Sequence, residues 1–272
     1  MSERKRYPSD LTDERWALIE PVITAWKAVH PSVSGHQGRY ELREIVNAIL
    51  YQSWTGCQWE YLPPRAATYY YIAKWREDGV DQTIHDLLRW QVREKAGRSE
   101  DPSLVVLDTQ SVHTAGNVPA ATTGKDAAKR VPGRKRGLAV DLLGLVIAVA
   151  AFAASVHENR AGTVLLDRVV RQTATVSKVL VDQGLKSTVV AHGAMPSIDV
   201  EIVKRNPADR GFVPQAKRWV VERTYRLLML HRRLVRDYEG RPASSESRVY
   251  WAMTDVIARR LTGTSTPSWR DA

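Results

Sequence analysis

The chain has one cysteine in 272 residues, and that scarcity excludes an internal disulfide framework and a thiolate metal cluster. Cys57 reads as a small buried hydrophobe in the reducing cytoplasm. The amino-terminal stretch MSERKRYPSDLTDERW has no apolar segment of the kind a secretory signal needs. Long apolar runs are missing too: the longest, Leu142 to Ala154, contains Gly144 and is too short to span a bilayer. Internal repeats and long low-complexity segments are absent. The expectation is a globular, cytoplasmic protein with no membrane partner.

At 43% hydrophobic content the chain can bury a full core, in one large domain or two smaller ones. It carries 40 Lys and Arg against 30 Asp and Glu, a formal charge of +10 with a pI near 9.8, which points to a polyanionic partner. The excess is uneven. Residues 1–98 hold 14 basic and 13 acidic side chains, whereas residues 99–272 hold 26 and 17. A nucleic-acid partner would be touched largely by the second part, and the first part is no polycationic tail.

Helical spacing dominates the first part. Thr12 is placed to cap a helix with Asp13 and Glu14 in its first turn and Trp16, Ile19 and Ile23 on one face, and Pro21 is expected to bend or end it. Glu41 to Ser53 aligns Leu42, Ile45, Val46, Ile49 and Leu50. After the turn GCQWEYLPP, the stretch AATYYYIAKWREDG aligns Tyr69, Ile72 and Trp75, and Gln82 to Lys95 aligns Ile84, Leu87, Leu88 and Val92. Two helices about a short turn have the pattern of a helix-turn-helix, although most three-helix units do not bind DNA. Arg65, Lys74 and Arg76 are the candidate DNA contacts there. Residues 95–102 read as a linker, giving a helical domain over 1–98 and a second domain over 99–272.

The pattern then changes. Leu104 to Leu107 is a continuous apolar run ending in Asp108, as in a strand covered on both faces. Thr114 to Ala128, followed by the basic cluster KRVPGRKRG, reads as a mobile polar loop. Leu138–Val140 and Leu145–Ala153 flank the turn Asp141–Gly144 as a hairpin. Ala161 to Gln172 has helical spacing, Val179–Val181 is a second apolar run and ends in Asp182, and Val200–Val203 is a last strand before the loop RNPADRGFVP. Ser245 to Leu261 closes the chain as a helix. This order describes an α/β sheet with helices packed on it.

Ligands in α/β sheets gather at the carboxyl ends of strands, which puts Asp108 and Asp182 together. Two ionised carboxylates at close range repel unless a cation lies between them, and a hard divalent ion with oxygen ligands, such as magnesium, relieves this. Helix N-capping after a strand is the alternative for both residues. A third carboxylate would make a two-metal site, with ions about 3.5–4 Å apart. Asp141, Asp167, Asp199, Glu201 and Asp209 are candidates, Asp141 being explained already by its turn and Asp167 by a surface pair with Arg168.

Glu222 differs in its company. The stretch Lys217–Glu239, KRWVVERTYRLLMLHRRLVRDYE, reads as an amphipathic helix with Val220, Val221, Thr224, Leu227, Leu228, His231, Leu234 and Val235 on one side. Arg218, Arg226, Arg233 and Arg236 gather opposite, around Glu222. On the helix alone a solvated ion pair explains the glutamate. Beside two strand-end aspartates, a metal ligand among phosphate-binding arginines explains it.

Six stretches in this order resemble transposases of bacterial insertion-sequence family five, within the wider family-four group: YPSDLTDERWALIEPVI, REIVNAILYQSWTGCQWEYLPP, VVLDTQSV, VPGRKRGLAVDLLGLVIAV, VLVDQG and RWVVERTYRLLMLHRRLVRDYE. Nearly the whole chain is covered. The resemblance implies a ribonuclease-H-like mixed sheet with packed helices, preceded by a small all-α, helix-turn-helix-like domain. It also implies an Asp-Asp-Glu triad, in which Asp108 of LDTQS, Asp182 of VLVDQG and Glu222 of WVVERT hold two Mg2+ ions, with Mn2+ able to substitute. Arg223, Arg232, Arg233 and Arg236 belong to the same signature and would contact terminal-repeat DNA, with Arg218 and Arg226 beside them. Lys129, Arg130, Arg134, Lys135 and Arg136 would grip phosphates. Two departures stand out: Leu185 in DQGL occupies a position where an aromatic is expected, and the connection RAATY before YYIAKW is shorter than usual.

The expected function is a transposase that binds the terminal inverted repeats of its own element, cleaves there and joins the freed 3′-hydroxyl to target DNA. It would act on double-stranded DNA as a homo-oligomer, in the nucleoid of a bacterial cell. A catalytically inactive DNA-binding remnant is the alternative, and a host nuclease with the same metal site is a third reading.

Overall fold

Thr12 opens the first helix as its side chain predicts: in the computed structural model its Oγ1 accepts the Arg15 N–H at 3.3 Å, at the start of α1 (Asp13–Val29). The structure describes residues 5–31, 40–62, 64–182, 184–185, 187–203 and 219–264. Helix α1 does not end at Pro21 but continues through it. Ile19, Ile23 and Trp26, buried on either side, hold both halves against one core, which offsets the hydrogen bond a mid-helix proline forfeits. Helix α2 (Leu42–Thr55) buries Ile45, Val46, Ile49 and Leu50 completely and ends on Gly56, whose φ of 70° is the left-handed cap that glycine adopts without strain. Between α2 and α3 (Arg65–Glu77) the chain makes a 3-10 turn at Trp59–Tyr61. The connection over 56–64 is longer than the three- or four-residue turn of a helix-turn-helix. Helix α4 (Val80–Lys95) follows.

The chain folds into two compact units, each assembled from more than one stretch of sequence. The first comprises residues 1–92, 230–234 and 247–272; the second comprises 93–229 and 235–246. The single boundary expected at 98/99 is therefore replaced by a division in which the last helix, α9 (Pro242–Leu261), joins the first unit from residue 247 onward. The reason lies in its buried side. Trp251 is fully buried with its ring 5.6 Å from that of Trp75, and Asp255, also fully buried, accepts from Arg15 at 3.3 Å, Arg259 at 3.0 Å and the Trp54 indole at 2.9 Å. A buried carboxylate is tolerable only when so matched. Gln52 likewise accepts from Arg248 at 2.7 Å. Cys57 is half-buried, not the fully buried hydrophobe expected, and its carbonyl takes bonds from Gln52 and Arg233.

The second unit is built on a six-stranded mixed sheet. Its strands are β1 (Leu104–His113), β2 (Gly124–Lys125), β3 (Pro132–Asp141), β4 (Val146–Ala153), β5 (Lys178–Val181) and β6 (Asp199–Ile202), in the order β2-β3-β1-β5-β6 with β4 also along β3. Strand β3 is antiparallel to β1 and β4, whereas β5 and β6 run parallel to β1. Helices α5 (Glu158–Gln172) and α6 (Ser187–Ala194) supply Leu165, Leu166, Val169 and Val189 to a core shared with Val105, Leu107, Ala139, Val179, Val181 and Val200. The opposite face meets α7 (Trp219–Leu228). A short α8 (Arg232–Val235) follows it.

Two expectations fail in the sheet. Strand β1 does not end at Asp108 but runs on to His113, paired with β3 throughout. The basic cluster KRVPGRKRG is not a mobile loop, because from Pro132 it is β3 and its residues from Gly133 to Asp141 are buried. Its charged side chains hid a strand that is buried on both faces.

His231 generates a pH prediction. It lies in the first unit, fully buried, 4.4 Å from the Trp54 ring and with Nδ1 3.0 Å from Ser53 Oγ. Burial pushes its pKa down to about 4, opposed by Asp255 and assisted by Arg259. The folded value lies below the unfolded one, near 6.5. Its contribution to stability is therefore full above about pH 6.5 and is lost as pH falls toward 4. Nitrogen-15 NMR of the imidazoles should show His231 neutral at pH 5.5; a His231 titration near 6.5 would contradict the burial argument.

Candidate active site

Asp108 lies in the middle of β1, opposite Leu138 of β3, half-buried, with Oδ1 accepting the Thr109 N–H at 2.8 Å. Asp182 is the first residue after β5. The ladder between these parallel strands runs from Leu104–Lys178 to Val106–Leu180. Counted on in the same register, Asp182 falls level with Asp108. Side chains alternate along strands, so both aspartates share the face that also holds Val106 and Leu180, away from the α5 core and toward α7.

Helix α7 carries Glu222 in its first turn, half-buried. The next three residues dock the helix. Arg223 Nη2 donates to the Leu143 carbonyl at 3.2 Å while its guanidinium lies 4.6 Å from the Trp219 ring centre. Thr224 Oγ1 donates to the Gly144 carbonyl at 3.1 Å. Gly144 has φ of 80°, and a Cβ there would stand 3.1 Å from Thr224 Oγ1, so the turn between β3 and β4 needs glycine both for its conformation and for the approach of the helix. Tyr225, buried, places its hydroxyl 2.8 Å from the Asp108 carbonyl and 2.9 Å from that of Arg136. Burial, then the Asp108 charge, holds the phenol pKa well above its usual value, so it remains a donor.

Oxygen donors of this kind suit a hard divalent ion. Among the described residues, however, no three His, Cys, Asp or Glu side chains are grouped so as to hold a metal ion. Two of the three acids share one level of the sheet by register, and the third rides on the helix covering that face. Other acids are occupied elsewhere. Asp141 Oδ1 accepts the N–H groups of Leu143 and Leu145, both at 2.9 Å, and its other oxygen pairs with Arg93. Asp167 pairs with His192 at 2.6 Å, not with Arg168, which instead reaches Glu246 at 2.8 Å. Asp199 and Glu201 both hold Lys178. Asp209 lies outside the described residues.

The basic residues divide by burial. Arg65, Lys129, Arg130, Arg223, Arg226, Arg232 and Arg236 are exposed, and Lys74 and Arg76 half-buried. Arg134, Lys135 and Arg136 are only 1–3% exposed, which corrects their expected role as a phosphate-gripping loop. Arg134 pairs with Asp237 at 3.1 Å and donates to the Glu239 carbonyl at 2.7 Å. Lys135 Nζ reaches Glu158 at 3.0 Å and Asp126 at 3.5 Å. Burial of Arg136 lowers its pKa, against Asp237 and Tyr225, though a guanidinium stays charged at neutral pH. Arg233 is buried as well, donating to the Cys57 carbonyl. Arg218 lies outside the described residues.

The long amphipathic helix expected over Lys217–Glu239 is interrupted. Helix α7 ends at Leu228, α8 begins at Arg232, and residues 230–234 belong to the first unit. Val235 is accordingly exposed. Leu185, where an aromatic was expected, is buried against Gly162 in the α5 core, so its side chain faces away from any ligand.

Several residues behind the acids were not anticipated. Thr109 Oγ1 donates to Glu158 at 2.6 Å, and Ser111 Oγ to Asp126 at 2.5 Å. Burial would raise the Asp126 pKa, but the Lys129 N–H, Ser111 and Lys135 outweigh it and hold the value down to about 2. The i, i+2 alternation of Thr109 and Ser111 beyond Asp108 was the available signal. For Tyr225 it was its place three residues after Glu222.

A six-stranded mixed sheet of this order with helices packed on it is the architecture of a ribonuclease-H-like domain. Two family models then match the chain: transposases of the IS4/5 family over residues 11–85, and the transposase DDE domain over residues 99–253, more than half the length. The chain belongs to the DDE transposases of the IS4/IS5 type, a family whose members generally use divalent metal ions. No curated protein matches it. No helix among the described residues is long and apolar enough to cross a membrane.

The Arg134–Asp237 pair tests the buried-charge reading. Asp237→Ala should destabilise the protein by about 3–5 kcal/mol, because it strands a buried guanidinium. Arg226→Ala, at an exposed site, should stay within about 0.5 kcal/mol. Urea denaturation measures both; equal, small effects would return Arg134 to the solvent-facing class.

Proposed function

We propose that the protein binds the terminal inverted repeats of an insertion sequence, cleaves the DNA at their ends and joins the freed 3′-hydroxyl to a target duplex. What supports it most is the β1–β5 register, which, counted on past its last rung at Val106–Leu180, brings Asp108 and Asp182 level, in a chain of this family whose α7 carries Glu222. In this reading Asp108, Asp182 and Glu222 hold two magnesium ions, and manganese substitutes. When bound, such a pair supplies Lewis acidity to the attacking and leaving oxygens of an in-line phosphoryl transfer.

The chain's own residues set the rest. The Thr109 N–H donates to one oxygen of Asp108 and orients that carboxylate on the strand. Arg223 and Arg226, exposed on α7, stand beside Glu222 and neutralise the phosphates of the strand being cut. Lys129, Arg130, Arg232 and Arg236 extend that contact, with Arg218 of the same sequence segment. Arg65, Lys74 and Arg76 of α3 give the first unit its DNA contacts. Water attacks in cleavage and the 3′-hydroxyl in joining, so one site serves both steps. Pairing two transposon ends calls for at least two copies of the chain on DNA.

A DNA-binding remnant is the competing reading, favoured by one observation: the three acids are not drawn into a metal-holding group. A terminal-repeat duplex incubated with the protein and Mg2+ separates the two. The proposed enzyme nicks the duplex, and Asp108→Asn or Glu222→Gln lowers the rate by more than about 100-fold while leaving the gel shift intact. A wild-type protein that shifts the duplex without cutting it, in Mg2+ and in Mn2+, supports the remnant.

A further inference from the structure

Tyr225 is 6% exposed, and its hydroxyl lies between two strands. The single phenolic proton is shared between the Asp108 carbonyl of β1 at 2.8 Å and the Arg136 carbonyl of β3 at 2.9 Å. Asp108 faces Leu138 across the ladder and Gln110 faces Arg136. The hydroxyl thus sits at the rung that carries the first acid. We infer that Tyr225 is a positioning residue that fixes the helix bearing Glu222 in register with the strand bearing Asp108. This inference rests on the proposed role of those two acids.

The geometry of a helix supplies the lever. Glu222 precedes Tyr225 by three residues, about 4.5 Å along the axis and about 60° around it. Fixing the tyrosine oxygen against Asp108 therefore fixes both the height and the rotation of the glutamate relative to that aspartate. The apolar contacts of Val220, Val221 and Leu228 cannot do this, since burial is non-directional and tolerates sliding. Hydrogen bonds are directional. Thr224 and Arg223 bond to the turn between β3 and β4, which carries neither aspartate of the proposed triad. The Tyr225 hydroxyl, by contrast, bonds to the backbone of Asp108 itself.

Phenylalanine keeps the ring and removes the tether. With purified full-length protein, Mn2+ binding followed by electron paramagnetic resonance, without DNA, should show Tyr225→Phe half-saturating at several-fold higher Mn2+ than wild type. Cleavage of the terminal-repeat duplex should show kcat reduced about 10- to 100-fold, the size found when a residue orienting a metal ligand is removed, with KM for DNA unchanged. Leu228→Ala, which destabilises the same helix without touching the tether, should keep wild-type Mn2+ half-saturation and kcat well below its melting temperature. Tyr225→Phe indistinguishable from wild type in both assays overturns the inference, as does a Leu228→Ala protein shifted equally. A wild-type protein that neither binds Mn2+ through Asp108, judged by Asp108→Asn, nor cleaves would instead bring down the proposed function, and this inference with it.

Discussion

A charge taken out of water must meet an opposite charge or a set of dipoles, and this requirement organises both units. In the first, Asp255 gathers Arg15, Arg259 and the Trp54 indole. In the second, Arg134 takes Asp237, Lys135 takes Glu158 and Asp126, and Arg93 takes Asp141. These pairs tie elements far apart in sequence: β3 to the segment after α8, β1 and β3 to the start of α5, the end of α4 to the turn after β3. Asp108, Asp182 and Glu222 are half-buried.

The same requirement explains which features were legible in the sequence. Helices α2, α4 and α5 declared themselves by apolar stripes at helical spacing, and β5 by its unbroken run before Asp182. The turn at Asp141 and Gly144 was legible because its residue types are those that turns demand. Strand β3 was misread because Arg134, Lys135 and Arg136 stand where a buried strand ordinarily carries valine or isoleucine. No single-residue rule anticipates that each will find a partner across the fold. The extent of β1 was missed for a related reason: beyond Asp108 its inward positions are Thr109 and Ser111, polar residues satisfied by Glu158 and Asp126.

The segment from Trp219 to Glu239 shows the limit of a helical wheel. Its stripe is real through Leu228, but the continuation through His231 and Leu234 serves the other unit, and a wheel cannot tell one core from two. Pro21 shows the reverse error, since a residue that breaks an isolated helix is carried by a core that holds both halves. For the two aspartates, the motif offered the candidates and the β1–β5 register their relative level. Neither gave the means of docking, in which Arg223, Thr224 and Tyr225 each bind a backbone carbonyl and leave Glu222 at the helix edge.

The central claim is that Asp108, Asp182 and Glu222 converge on one metal site. Loading the DNA-bound protein with Fe2+ and mapping where ascorbate-driven hydroxyl radicals cut the polypeptide tests this directly, since cuts fall beside the bound metal. The account predicts cuts in β1 near residue 108, after β5 near residue 182 and in α7 near residue 222, all suppressed by excess Mg2+. Cuts at the two aspartates with none in α7, or cuts elsewhere in the chain, would contradict it.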